Sequence, residues 1–195
     1  MKSTPLEATR HSPSQTVAPT ASRWLRTYYL ARAAVSFLWV LAALTLGSGL
    51  PIVAAILLIF YPAWDAAANL LDAVRNGGLT RNPPQAINAL ISLTTTLAIA
   101  VALASGMNAV LGVFGIWAVV SGLLQLATAV RRWSHYGAQW VMILSGAQSA
   151  LAGGFFIVRA NTPGLHSIAE LTPYVAFGAF YFLVSGLWLM FTRRK

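Results

Sequence analysis

Three charged residues lie within long apolar stretches, where a charge is costly. Asp65 and Asp72 share one stretch and Arg32 lies in another, and each costs about 2.5–3.5 kcal/mol on membrane-insertion scales if it reaches the centre of a bilayer. Such residues commonly pair with each other or mark a path for protons or solutes. The sequence therefore predicts a candidate intramembrane polar site, formed by Arg32, Asp65, Asn69, Asp72 and Gln125.

Spacing places the polar residues on helix faces. Asp65, Asn69 and Asp72 follow an i, i+4, i+7 pattern, which puts them on one face of a helix. Further polar positions recur in the other apolar stretches: Ser36; Asn88, Ser92 and Thr95 or Thr96; Ser121, Gln125 and Thr128; Gln139, Ser145 and Ser149; and Ser185. We expect these stripes to converge on a pocket, with an Arg32–Asp65 ion pair as one outcome. We expect Asp72, nearer the helix end, to meet Arg75 or solvent. In the alternative interpretation the stripes only hydrogen-bond neighbouring helices, at about 0.6 kcal/mol each.

Catalytic and cofactor signatures are absent from the sequence. There is no cysteine, which excludes disulfides and thiolate chemistry, and no P-loop, GxGxxG or HExxH motif occurs. The three histidines, His11, His135 and His166, lack metal-ligand spacing. We therefore expect no enzyme, no cofactor and no metal site, and an intramembrane enzyme using Asp65 and Asp72 is the least favoured class.

Composition indicates how these residues are positioned. Hydrophobic residues make up 57% of the 195-residue chain and charged residues only 9%, too few to cover a soluble protein. A helix needs about 20 apolar residues to cross a bilayer, and six such stretches are present. The predicted fold class is an all-α, polytopic membrane bundle of six transmembrane helices arranged as three hairpins. The predicted spans run from about 28 to 46, 50 to 74, 85 to 104, 109 to 130, 137 to 158 and 172 to 192.

Residues 1–22 differ from the rest because they are rich in Ser, Thr, Pro and Ala and lack an apolar run. This composition predicts a disordered tail, so the domain division is a cytoplasmic tail (1–22) and a six-helix transmembrane domain (23–195).

The distribution of positive charge predicts the orientation. With the N-terminus in the cytoplasm, every one of the 13 basic residues except Arg32 and Arg159 falls on the cytoplasmic side: Lys2, Arg10, Arg23, Arg26, Arg75, Arg81, Arg131, Arg132, Arg193, Arg194 and Lys195. Positive charge is retained on that side during insertion, which predicts both termini inside. The net charge of +9 is thereby explained without nucleic acid. We expect the partners to be the lipid bilayer and anionic lipids at the cytoplasmic face.

An internal repeat accompanies these spans. Val120-Ser121-Gly122-Leu123 recurs as Val184-Ser185-Gly186-Leu187, and the second span aligns on the fourth with Asp65 on Ser121. Parallel repeats of this kind occur in some transporters and also where a hairpin was duplicated for packing alone.

The stretches FGIWAVVSGLLQLATAVRRW and GAQWVMILSGAQSALAGGFFI, within about 114–157, carry a family resemblance. This region resembles the HdeD-like bacterial membrane proteins, which have six helices and no known biochemical function. The resemblance implies a multi-pass protein of the bacterial inner membrane, with a stress-related role and no catalytic residues.

Two functions follow as alternatives. The first is a structural, stress-related membrane protein, and the second is a small transporter or channel-like protein using the Asp65/Arg32 site. Small residues four apart on the fifth span, such as Gly146, Ala150 and Gly154, favour close packing against another helix or a second copy of the chain, so a homo-oligomer is a further alternative.

Overall fold

Residues 19–132 and 139–191 of the chain are described by a computed structural model, and the described residues form an all-helical bundle without strands. The six α-helices are α1 Pro19–Ala42, α2 Pro51–Arg75, α3 Pro83–Ala102, α4 Met107–Arg132, α5 Gln139–Ala160 and α6 Thr172–Phe191. Short π or 3₁₀ turns extend α1 and α3 at their ends and precede α3 and α6. All six helices are long and apolar enough to cross a membrane, as predicted.

The helix boundaries agree with the sequence prediction except at the start of α1. This helix begins at Pro19 rather than near Tyr28, so residues 19–22, which the sequence prediction assigned to the tail, form its first turn. The physical reason is that proline is well tolerated in the first turn of a helix, where its missing N–H has no partner to lose. The rest of that tail, residues 1–18, lies outside the described residues.

Contacts along the helices define an end that we call the basic end, where α1, α3 and α5 begin and α2, α4 and α6 end. Helices α1 and α2 are antiparallel, since Trp24 reaches Asp72 at the basic end and Trp39 donates to the Leu57 carbonyl further along. Helices α6 and α1 are also antiparallel, since Gly186 lies against Leu30 while Gly47, just past α1, lies against Ile168, just before α6. Arg23, Arg26, Arg75 and Arg81 lie at the basic end and Arg159 at the opposite, far end. The side chains of Arg131 and Arg132 and residues 193–195 lie outside the described part.

Helix packing differs from the predicted hairpins in one respect. The closest neighbours are α4 with α5, α6 with α1, and α2 with α3, whereas α1 with α2 and α5 with α6 pack more loosely. Each hairpin therefore packs mainly on the next one, and the third hairpin closes on the first. Two glycines, at the third position of each copy of the repeated Val-Ser-Gly-Leu segment, contribute to this packing. Gly122 of α4 contacts α5 and Gly186 of α6 contacts Leu30 of α1.

Glycine pairs bring α4 and α5 into backbone contact. A methyl group placed on Gly122 would lie 2.6 Å from the Gly146 carbonyl oxygen, and one on Gly153 would lie 2.5 Å from the Gly115 carbonyl oxygen. Such small-residue faces allow close approach between membrane helices. Gly146, from the small-residue face predicted on the fifth span, therefore packs on α4 within the chain. Gly154, by contrast, has no atom within 4 Å of an added methyl group.

The far half of the bundle is filled by apolar side chains. Its largest buried members are Trp39, Leu58, Ile99, Val110, Leu111, Phe114, Ile168, Leu171 and Val175. Large apolar side chains also cover the outside of the helices, as a lipid-facing surface requires. Most of the buried polar side chains lie in the middle of the bundle or nearer the basic end, while buried Thr172 lies at the far end.

Candidate functional site

The expected ion pair between α1 and α2 is present. The Arg32 guanidinium contacts Asp65 through Nη2, and their side chains are only 13% and 9% exposed. Arg32 also donates from Nη1 to the Tyr28 hydroxyl at 2.8 Å and lies 4.3 Å from the centre of the Phe182 ring on α6. One side chain therefore connects α1, α2 and α6 around a formally neutral charge pair.

Asp65 is bonded by donors on three helices. Besides Arg32, its Oδ2 accepts from Asn69 and Asn88, each at 3.0 Å, and from Ser92 at 2.8 Å. A carboxylate accepts about four hydrogen bonds, so these donors fill the capacity of Asp65. The side chains of Asn88 and Ser92 thereby link α3 to α2.

Ser92 extends this network to α4. Its hydroxyl donates to Asp65 and accepts from the Trp117 indole N–H at 2.9 Å. Ser92 is completely buried. The charged centre is therefore fixed by a continuous chain of hydrogen bonds from α1 to α4.

Asp72 does not behave as expected. It is buried rather than facing solvent, and its Oδ1 accepts from Trp24 at 3.4 Å and from Asn76 at 2.7 Å, while Oδ2 faces Gln85 at 3.5 Å. Arg75 instead stacks over the Trp24 ring at 4.7 Å. Asp72 is buried because α1 starts early enough to place Trp24 over its carboxylate.

Gln125 lies apart from the acidic residues. Its side-chain nitrogen donates to the Met142 carbonyl on α5 at 3.2 Å. Of the five predicted site residues, Arg32, Asp65 and Asn69 therefore form one hydrogen-bonded cluster. Asp72 lies two turns away on the same face, and Gln125 lies on the opposite wall of the cavity described next.

A cavity of about 130 Å³ lies between these walls, large enough for several water molecules. All five predicted residues line it, and its lining extends from the middle of the bundle to the basic end: Tyr61, Trp117 and Tyr174 in the middle, and Leu25, Pro84 and Thr128 near the basic end. The apolar core described above fills the far side. The polar stripes therefore converge on a pocket, and the apolar core lies on its far side.

Sequence reasoning missed several polar groups on α5 and α6, which form the cavity wall opposite Asp65. Tyr181 donates to Gln148 at 2.7 Å, and the Tyr174 and Ser149 hydroxyls lie 3.0 Å apart. Tyrosines counted as apolar in the sequence because aromatic residues are common in membrane spans. A sequence signal was present only for the tyrosines of α1 and α2, since Tyr28 and Tyr61 each precede a charged residue by four positions.

A second ionic cluster lies at the far end, between α5 and α6. Glu170 pairs with Arg159 at 3.1 Å and with His166 at 2.7 Å. In the described residues no group of three or more His, Cys, Asp or Glu side chains is placed to hold a metal ion. This cluster therefore links the α5–α6 connection to the bundle and is separate from the cavity.

Comparison with known proteins adds one finding. A family model described as a short repeat of unknown function (DUF308) matches residues 87–158. The matched segment covers most of α3, all of α4 and most of α5. It includes the glycine pairs and part of the cavity wall opposite Asp65. No curated protein and no solved structure matches the chain. The chain is thus a multi-pass membrane protein, by its six apolar helices, with a segment similar to a repeat family typical of membrane proteins.

Proposed function

We propose that this protein is a small transporter or channel-like protein of the cell membrane, in which the cavity is the solute-binding site. The observation that carries the proposal is the cavity itself, a space with polar walls inside a bundle of six apolar helices. A bundle that needed polar residues only for packing would close them on each other. Buried polar groups around a pocket are the usual features of a binding site.

The geometry favours access from the basic end. The lining reaches Leu25, Pro84 and Thr128 there, while Trp39, Leu58 and Leu111 close the opposite side. With the orientation predicted from the charges, the cavity faces the cytoplasm. Passage of a solute then requires the far half to open, as in alternating access.

The proposal includes partners in the membrane. Exposed apolar side chains contact lipid, and Arg23, Arg26 and Arg75 at the basic end suit anionic headgroups. A homo-oligomer has less support than the sequence suggested, because Gly146 and Gly153 already pack on α4. We further propose that the protein is not an enzyme and uses no cofactor.

A second candidate function is a structural, stress-related membrane protein of the HdeD-like kind. Its support is the fully bonded Asp65 and the backbone contact between α4 and α5, because both stabilise a bundle without any solute. Under this candidate the cavity is a by-product of packing.

A cavity-filling substitution separates the two candidates. Gly178 lines the cavity, and a methyl group added there would lie 3.8 Å from the Tyr61 hydroxyl, so Gly178→Leu places its remaining atoms in the cavity. Gly154→Leu, on a helix face with open space, is the matched control. Proteoliposomes would be tested for flux of protons, sodium and potassium ions, and uncharged solutes. We expect flux of at least one solute that Gly178→Leu removes and Gly154→Leu keeps. Absence of any flux in the wild type would favour the structural candidate.

A further inference from the structure

Asp72 is a buried carboxylate that has no ion pair among the described residues. It is only 3% exposed, and its donors are neutral groups, the Trp24 indole and the side-chain amides of Asn76 and Gln85. Arg75, the nearest basic residue along the chain, is exposed and lies over the Trp24 ring instead. Buried charges in proteins are normally paired, so a cation beside Asp72 would be stabilised.

The two carboxylates of the cavity lining differ in their spare hydrogen-bonding capacity. Asp65 already accepts from Arg32 and from three neutral donors. The Oδ2 of Asp72, by contrast, faces one donor, the Gln85 amide, at 3.5 Å, a distance beyond the usual range of a hydrogen bond. A carboxylate offers about four acceptor sites, so Asp72 can accept a further donor where Asp65 cannot.

The charged residues of the lining also favour a cation. They are Arg32, Asp65 and Asp72, one positive and two negative, which leaves a formal charge of −1. Because Arg32 and Asp65 contact each other, the excess charge resides at Asp72. A monovalent cation would neutralise the lining, whereas an uncharged guest would leave the Asp72 carboxylate without a counter-ion.

The aromatic residues and the size of the cavity favour an organic cation over a metal ion. Eight of the 26 lining residues are aromatic, against 11% of the whole chain: Tyr28, Tyr29, Tyr61, Trp117, Tyr174, Phe177, Tyr181 and Phe182. The faces of aromatic rings attract ammonium and guanidinium groups, as the position of Arg32 over the Tyr28 and Phe182 rings illustrates. A cavity of about 150 Å³ accommodates benzene, so the 130 Å³ here fits about five or six non-hydrogen atoms.

We propose that the cavity binds a small alkylammonium ion of about five or six non-hydrogen atoms, with Asp72 as its counter-ion. This inference rests on the proposed transport function and names its substrate class. The ammonium N–H groups donate to the Asp72 carboxylate, and the alkyl chain lies against the aromatic residues of the lining. The ion enters from the basic end, where the cavity is lined by Leu25, Pro84 and Thr128.

Butylammonium is the probe for a direct test, and 1-butanol is its uncharged match. Their binding to purified wild type, Asp72→Asn, Gly178→Leu and Gly154→Leu would be measured by isothermal titration calorimetry at neutral pH, with empty detergent micelles as the blank. We expect wild type to bind butylammonium roughly 10-fold or more tightly than butanol, and Asp72→Asn to weaken butylammonium binding roughly 10- to 100-fold, the value of a charged hydrogen bond. Gly178→Leu should abolish binding by filling the cavity, and Gly154→Leu should match wild type.

The other outcomes separate the inference from the function it rests on. Equal affinity for butylammonium and butanol, tighter binding of potassium ions, or butylammonium binding that Asp72→Asn leaves unchanged would each overturn the inference. If Gly178→Leu blocks flux of another solute while butylammonium neither binds nor inhibits that flux, the transport function stands and the alkylammonium inference is overturned. If butylammonium binds through Asp72 but no solute passes, the ligand class stands and the transport function fails. Thermal unfolding of each variant in detergent checks folding, and the comparison of the two probes on wild type stays decisive if Asp72→Asn does not fold.

Discussion

We expect Asp65→Asn to destabilise the bundle, because it leaves Arg32 without its ion-pair partner. The change keeps the size of the side chain but removes its charge, and Arg32 remains only 13% exposed with no counter-ion. Breaking a buried ion pair by removing one partner costs about 3–5 kcal/mol, whereas a polar contact between membrane helices averages about 0.6 kcal/mol. Since Arg32 is partly accessible from the cavity, we expect the low end, about 3 kcal/mol of unfolding free energy.

A double-mutant cycle measures this coupling. Wild type, Asp65→Asn, Arg32→Gln and the double variant would be unfolded reversibly in mixed micelles and followed by tryptophan fluorescence. The double variant should be more stable than the sum of the single losses predicts, by about 2 kcal/mol, because it buries no unpaired charge. Thr94→Val is the control, since the Thr94 hydroxyl is exposed and bonds only its own helix, and it should change the free energy by less than about 0.5 kcal/mol.

Near-additive losses would refute the reasoning. If Asp65→Asn costs no more than about 0.6 kcal/mol and the cycle shows no coupling, Arg32 reaches water or headgroups instead of depending on Asp65. The charged wall of the cavity would then be flexible, and Asp65 would not depend on Arg32 as its partner.

Two further predictions concern packing and orientation. Gly153→Ala should destabilise the protein by about 1–3 kcal/mol in the same unfolding assay, because its methyl group would overlap the α4 backbone. The control Gly154→Ala should change the free energy of unfolding by under about 0.5 kcal/mol. Equal effects of the two substitutions would contradict the glycine contact. For orientation, the absence of cysteine gives a background-free assay, since Thr80→Cys and Leu165→Cys place single thiols at exposed positions at opposite ends of the bundle. In intact cells a membrane-impermeant thiol reagent should label Leu165→Cys only, and labelling of Thr80→Cys alone would reverse the predicted topology.

The sequence was sufficient for properties that depend on one helix at a time. The lengths of the six spans follow from bilayer thickness, and the i, i+4, i+7 spacing correctly placed Asp65, Asn69 and Asp72 on one buried face. The Arg32–Asp65 pair was also within reach, because the two positions lie at similar depths on neighbouring antiparallel helices.

Properties that depend on how one helix is rotated against its neighbours were not predictable. The donors Asn88 and Ser92 reach Asp65 only because α3 packs closely on α2, and spacing along α3 does not determine how the helix is rotated. Likewise, Gln125 has the same spacing as Asn69 in the repeat, yet it bonds α5 because Gly122 draws α4 onto that helix. The burial of Asp72 depended on Trp24, which the sequence prediction placed before the first helix.

The structure divides the predicted polar residues into two groups with different roles. An intramembrane carboxylate commonly suggests proton or cation binding, but Asp65 already accepts from Arg32 and three neutral donors, so binding there would first have to break those bonds. The Asn88 oxygen and the Ser121 hydroxyl lack a protein partner, and both belong to residues that line the cavity, but neither atom is itself accessible from it. Substitutions at Asp65 are therefore informative about folding, and substitutions at Gly178, which lines the cavity, are informative about transport.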